Sequence, residues 1–314
     1  MTKRRKLNFA NPLIEEFIQA KKSERRPSTL NRYRYVLYEF DRWLQARGKS
    51  LSSILVEDLG SFIAEKQEKG LSSNTVVVKL WAIKGFAKWL WYRDKLTEKN
   101  HKAFDEYYPD LPKNEDTRSA LKPQEEKLIL KKLGNQMFRM MFWVGNNYGL
   151  RCSEFSTLIV QNIDLENQKL QVHGKGNKYR RVGIPKGHIQ TWQDWLTTRE
   201  AYHLPHDHVF FSSNGKPTHR TIQRYFNKMS EQVYPLPEGI SRDEVMQFKK
   251  DNWFTPHILR FTFATKLYLG GMPLLDISKA LGHNSIRTTQ IYLRIDEQKA
   301  HESYLNNAEK ILGS

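Results

Sequence analysis

A280-L-G-H-N-S-I-R-T-T-Q-I-Y292 reads as a helix end, a glycine turn and a second helix. Gly282 suits the left-handed position that closes a helix over Leu274 to Leu281, and Asn284 or Ser285 suits the start of the next, over Ser285 to Ile295. His283 therefore falls at the junction, free to face a bound anion. Tyr292 follows Ser285 by nearly two helical turns. A phenol with an ordinary pKa near about 10 becomes a nucleophile only when its target and neighbours activate it. Read alone, Tyr292 is equally an aromatic at the edge of a core, and the rest of the chain must decide.

Working outward, T255-P-H-I-L-R-F-T-F-A-T265 opens a helix over Pro256 to Leu269, with Thr255 as cap and Pro256 in the first turn. His257 and Arg260 are three apart and share a face. At a helix start the histidine is favoured in its neutral form, suited to a general base, and the planar arginine fork suits two phosphate oxygens. In G149-L-R-C-S-E-F155, Arg151 follows a helix break, and Glu154 is placed to orient or satisfy it. Two strand candidates, Lys169 to Val172 and Tyr179 to Ile184, flank the turn H173-G-K-G-N-K178, which carries Lys175. Each motif alone also fits a bland reading: a surface pair, a lone salt bridge, a solvated basic hairpin.

Composition limits the partners. The 314 residues hold 51 Lys and Arg against 34 Asp and Glu, a net charge of +17, which favours a polyanion: nucleic acid or an anionic membrane surface. No apolar run is long enough to span a bilayer, and M1-T-K-R-R-K-L7 is not followed by a signal-peptide core, so the expected location is cytoplasmic. Cys152 is the one cysteine, which excludes an intrachain disulfide or a cysteine-rich zinc site. Nothing calls for a cofactor or metal. With 39% hydrophobic residues, the chain is expected to fold around packed cores.

The charge is uneven. Residues 1–105 hold 22 Lys or Arg against 12 Asp or Glu, a net +10 in a third of the length. Their pattern is helical: a start at Asn11-Pro12, a face of Leu30, Tyr33, Leu37, Phe40 and Leu44, a short helix from Val56 to Gln67, and a fourth from Ser73 or Asn74 carrying Val76, Leu80, Ile83, Ala87 and Leu90. Such a set makes a compact bundle. The stretch from His101 to Arg118 mixes prolines and both charge signs without a sustained period, so residues 106–118 are expected to link the bundle to a second domain, 119–314. That domain reads as mainly helical with a small antiparallel sheet. Its helices are expected at Pro123 to Leu133, Met137 to Val144, Ile189 to Arg199 and Thr218 to Ser230, besides those above. The stretch Val233 to Trp253 reads as a long loop with a short helix from Ser241 to Phe248.

Taken together and in this order, G149-L-R-C-S-E154, G174-K-G-N-K-Y-R-R181, H257-I-L-R-F-T-F-A-T265 and L281-G-H-N-S-I-R-T-T-Q-I-Y292 resemble the motifs of the tyrosine recombinases, the phage integrase family, including its Xer-type members. The resemblance implies a helical, SAM-like core-binding domain followed by a catalytic domain. It implies that Arg151 and Arg260 clamp the scissile phosphate, Lys175 is the hairpin lysine, His257 and His283 are the two histidines, Tyr292 is the nucleophile, and Glu154 supports the first arginine. The reaction it implies is site-specific strand exchange through a 3′-phosphotyrosyl intermediate, without metal or ATP. The expected partner is duplex DNA with an inverted-repeat core site, bound by a homotetramer that exchanges C-terminal helices; Leu305, Ala308 and Leu312 are spaced for such a docking face. Phe261 departs from the pattern, since many relatives carry a second histidine there, and the Val233 to Trp253 loop is longer than in compact Xer proteins. A type IB topoisomerase and a catalytically silent DNA-binding regulator are the rival readings.

Overall fold

The computed structural model describes residues 11–111, 120–174, 179–212 and 215–283. The chain divides into two compact units, Met1–Asp116 and Thr117–Ser314.

Among the described residues, five α-helices build the first unit: α1 (Pro12–Ala20), α2 (Pro27–Gln45), α3 (Val56–Glu68), α4 (Ser73–Trp91) and α5 (Glu98–Glu106). The start of α1 is set locally, because Asn11 Oδ1 accepts the Leu13 amide at 3.1 Å and Pro12 needs no hydrogen-bond partner. Heptad-like apolar spacing then turns Leu37, Phe40 and Leu44 of α2 inward against Phe62 of α3 and Ile83 and Phe86 of α4, all fully buried. The stretch expected to be aperiodic from His101 onward begins instead as the second half of α5. Phe104 anchors that helix in the core. A nine-residue helix held by one buried side chain leaves no apolar period to read.

The second unit contains α6 (Pro123–Lys132), α7 (Gln136–Tyr148), α8 (Cys152–Thr157), β1 (Ile163–Asp164), β2 (Lys169–His173), β3 (Tyr179–Gly183), α9 (Ile189–Glu200), α10 (His219–Val233), α11 (Arg242–Asn252), α12 (Pro256–Leu269) and α13 (Leu274–Leu281). The sheet is antiparallel in the order β1-β2-β3, with Leu170 opposite Val182 and His173 opposite Tyr179. Within the described residues the expected strands and helices are present, with ends that differ by a few residues. The additional β1 and α8 are too short to show a period. Trp192, Phe142, Phe155, Phe210 and Phe226 are fully buried in one core.

Close approach of α7 to α12 sets up the site. A Cβ on Gly145 of α7 would lie 2.6 Å from Leu259 Cδ1 of α12, so the absence of a side chain lets the two helices meet. Within Val233 to Trp253, α11 is longer than expected, starting from a reciprocal cap: Ser241 Oγ accepts the Glu244 amide, and Glu244 accepts the Ser241 amide at 2.7 Å. Among the described residues, no helix is long and apolar enough to cross a membrane.

Candidate active site

Two helices, α7 and α13, end side by side on left-handed glycines. Gly149 has φ 58° and ψ 42°, and Gly282 has φ 62° and ψ 47°. A left-handed cap leaves the last carbonyls of a helix, which carry its partial negative charge, open to donors. Three arginines supply them. Arg260 on α12 donates through Nη1 to Gly149 O at 2.6 Å and through Nη2 to Leu281 O. Arg151 Nη2 donates to Gly282 O at 3.1 Å. Arg180 on β3 donates to Ala280 O, and at 3.3 Å to both Tyr148 O and Gly149 O.

The same three guanidiniums surround one carboxylate. Glu154 stands in the first turn of α8, where Oε2 accepts the Arg151 amide at 2.8 Å and Oε1 accepts Arg151 Nη1 at 2.9 Å. Oε2 also accepts Arg180 Nη2 at 2.9 Å and lies 3.8 Å from Arg260 Nη1. Burial alone would raise the Glu154 carboxyl. The charge and hydrogen bond of Arg180, the Arg151 amide and the charge of Arg260 outweigh burial and hold it below the usual carboxylate range. A buried anion held this way is costly to strip of any one partner. Three cations facing one anion leave an excess of positive charge, the requirement for holding a second anion nearby.

That excess borders a cleft of about 520 Å³ lined by Arg151, Cys152, Gln223, Asn227, His257 and Arg260. The Arg151 side chain is 33% exposed, whereas Arg180 and Arg260 are buried, so Arg151 is the most accessible of the three cations. His257, in the first turn of α12, keeps an exposed edge. Desolvation on its inner side, followed by the charges of Arg260 and Arg151, lowers its pKa from the usual 6.5. His283 follows Gly282 directly, its amide donating to Ser278 O at 3.0 Å. Burial, then Arg260, Arg151 and Arg180, bring its pKa to about 4. Both imidazoles are therefore neutral at pH 7, each able to donate from one nitrogen and accept at the other. Burial pushes the Cys152 thiol up to about 11, which keeps it protonated. A larger cavity of about 780 Å³, lined among others by Val182, Ile184, Phe263 and Met272, contains none of these arginines and histidines. The smaller cleft is the one lined by Arg151, His257 and Arg260.

Arg151, Glu154, His257, Arg260 and His283 thus meet in one region, while Lys175 and Tyr292 lie outside the described residues, as do the helix expected over Ser285 to Ile295 and the segment with Leu305, Ala308 and Leu312. Phe261, at the departure from the motif, is half-buried on α12. Sequence reading missed Arg180, although its signal was available. In a strand from Tyr179 to Ile184, alternation puts Arg180 on the face of Val182 and Ile184, and all three are buried.

Comparison with known proteins identifies the family. The family model described as Phage integrase family matches residues 119–299, and the one described as Phage integrase, N-terminal SAM-like domain, matches residues 14–94. Tyrosine recombinase XerC of Shewanella amazonensis is 29% identical over 301 residues, spanning 93% of this chain and 94% of its own. XerC of Bacillus subtilis is 26% identical, over 96% of both chains. Among solved structures, the Tn1549 transposon integrase in complex with transposon right end DNA has a TM-score of 0.72 at 20% identity, covering 94% of this chain and 98% of that one. The XerH recombinase bound to difH substrate has a TM-score of 0.66 at 22% identity, covering 93% and 94%. Both likenesses are of fold. With a family model matched across most of the second unit, the chain belongs to the phage integrase family, the tyrosine-type site-specific recombinases.

Proposed function

We propose that this recombinase cuts its DNA with Tyr292, which attacks the scissile phosphate to form a 3′-phosphotyrosyl bond and releases a 5′-hydroxyl. The 5′-hydroxyl of a partner strand then attacks that bond and frees the tyrosine, so the strands are exchanged with no net loss of phosphodiester energy. In this reading Arg151 and Arg260 stabilise the charge that develops on the phosphate oxygens. His257 accepts the tyrosine proton, Lys175 protonates the departing 5′ oxygen, and neutral His283 donates to a non-bridging oxygen. The observation that carries the reading is the cluster of three guanidiniums on buried Glu154 beside a cleft edged by His257, with His283 at the adjoining helix cap.

Duplex DNA is the partner. XerH, bound to difH, and the Tn1549 integrase, bound to transposon end DNA, are the relevant fold neighbours. The net charge of +17 supplies the phosphate affinity such a partner needs, with binding that weakens steeply as salt rises. The assembly proposed is a homotetramer on two inverted-repeat core sites in the cytoplasm. Residues 1–105 grip the DNA, 106–118 connect, 119–314 cleave, and the segment around Leu305, Ala308 and Leu312 docks on a neighbouring protomer. The work done is integration, excision or resolution.

Covalent capture tests the proposal. Wild type and Tyr292→Phe are incubated with a plasmid library of genomic DNA and recovered under denaturing conditions. Capture by the wild type alone, at an inverted-repeat site, is expected. Equal recovery with Tyr292→Phe would remove Tyr292 as the nucleophile, and self-rejoining of the cut strand without exchange would make the enzyme a topoisomerase.

A further inference from the structure

Resting on this reading of the site, we propose that Arg180 is a positioning residue for strand cleavage: by satisfying Glu154 it keeps Arg260 bonded to the α7 cap and available to the cleft. Glu154 has no solvent to share its charge, with a side-chain exposure of 0%. A buried carboxylate takes whatever donors it can reach. Oε1 has Arg151 Nη1; Oε2 has the Arg151 amide and Arg180 Nη2, both within 2.9 Å. Arg260 Nη1 is close enough to compete, at 3.8 Å from Oε2, yet it bonds Gly149 O at 2.6 Å instead. Arg180 makes the contact that Arg260 would otherwise make.

The rest of its fork ties three elements together. Its base is β3, and its nitrogens reach the last carbonyls of α7 and Ala280 near the end of α13. The passage beneath the α13 cap is tight: a Cβ on Gly282 would lie 2.8 Å from Arg180 Cδ. His283 is the next residue. Arg180 is absent from the lining of the cleft, so it acts through Arg260, Arg151 and the α13 end without touching the phosphate.

The kinetic test uses full-length protein and a nicked suicide duplex of the sequence recovered by covalent capture. Arg180→Met is expected to slow single-turnover cleavage on the order of tenfold to 100-fold, as small displacements of catalytic groups do, with duplex affinity within about twofold of wild type. Glu154→Gln added to Arg180→Met is expected to recover part of that loss, because a neutral amide no longer draws Arg260 away. A purely structural role predicts a further loss in the double variant. If Arg180→Met does not fold, Arg180→Lys serves in the same comparison, since one ammonium cannot satisfy both Glu154 and the helix-end carbonyls.

A crystal structure of the DNA-free variant gives a second readout, with the distance from Arg260 Nη1 to Glu154 Oε2 expected to close from 3.8 Å to a hydrogen bond. An unchanged distance, cleavage within twofold of wild type, or a double variant slower than Arg180→Met overturns the proposal. Covalent capture by Tyr292→Phe equal to that of the wild type overturns the functional reading instead, and the crystallographic comparison still decides for or against Arg180.

Discussion

Gly149→Ala tests whether the arginine cluster depends on a left-handed helix cap. The backbone at Gly149 has φ 58°, a region that costs an L residue about 1–2 kcal/mol. The added methyl would lie 2.5 Å from Phe263 Cδ1 and 3.2 Å from Leu281 Cδ2, side chains packed in the core on α12 and α13. Forcing a methylene into such a place costs about 1–3 kcal/mol. The two costs together come to about 2–5 kcal/mol. For a cooperative unit of this size each kcal/mol lowers Tm by about 2–4 °C, so a drop of at least about 4 °C is expected in scanning calorimetry of the full chain. Gly183→Ala is the comparison: its φ is not positive and no atom lies within 4 Å of the new methyl, so it should stay within about 0.5 kcal/mol of wild type. Cleavage should suffer beyond the stability loss, because Gly149 O is the acceptor for both Arg260 and Arg180. A Gly149→Ala protein that melts within about 2 °C of wild type would refute the reasoning, since neither cost would then be present.

Arg260→Lys keeps the charge and loses the fork that reaches Gly149 O and Leu281 O with separate nitrogens; single-turnover cleavage should fall about 100-fold or more. For His283 the sign follows from its pKa of about 4 in the fold against the usual 6.5. Below pH 6.5 the unfolded chain takes up a proton that the folded chain refuses until about pH 4, so this residue's share of stability is lost progressively across that window. Urea midpoints measured from pH 7 to pH 4 should therefore slope less in His283→Asn than in wild type, and an unchanged slope would remove His283 as the cause. Because the Arg180 charge helps lower that pKa, Arg180→Met should raise it in a histidine-resolved NMR titration.

Local chemistry made part of this fold legible and long-range chemistry hid the rest. The bounds expected for α12 and α13 agree with those observed because Thr255-Pro256 and Gly282 are start and stop signals that act within a turn of themselves. The helices α5 and α8 escaped because nine and six residues hold too few apolar positions to make a period, although Phe104 and Phe155 each bury completely. The arginines were legible as residues and illegible as bonds. Sequence spacing puts Glu154 within reach of Arg151 and nothing else, so it cannot say that the carboxylate prefers Arg180, 26 residues on, to Arg260, more than a hundred residues on. That preference follows from tertiary placement: β3 brings one guanidinium to 2.9 Å, whereas the α7 cap holds the other back at 3.8 Å. The buried charge on β3 was the one trace in the sequence. An arginine on the inward face of a two-sided strand must have an acid to meet, and Glu154 is the only carboxylate in an ion pair with it among the described residues.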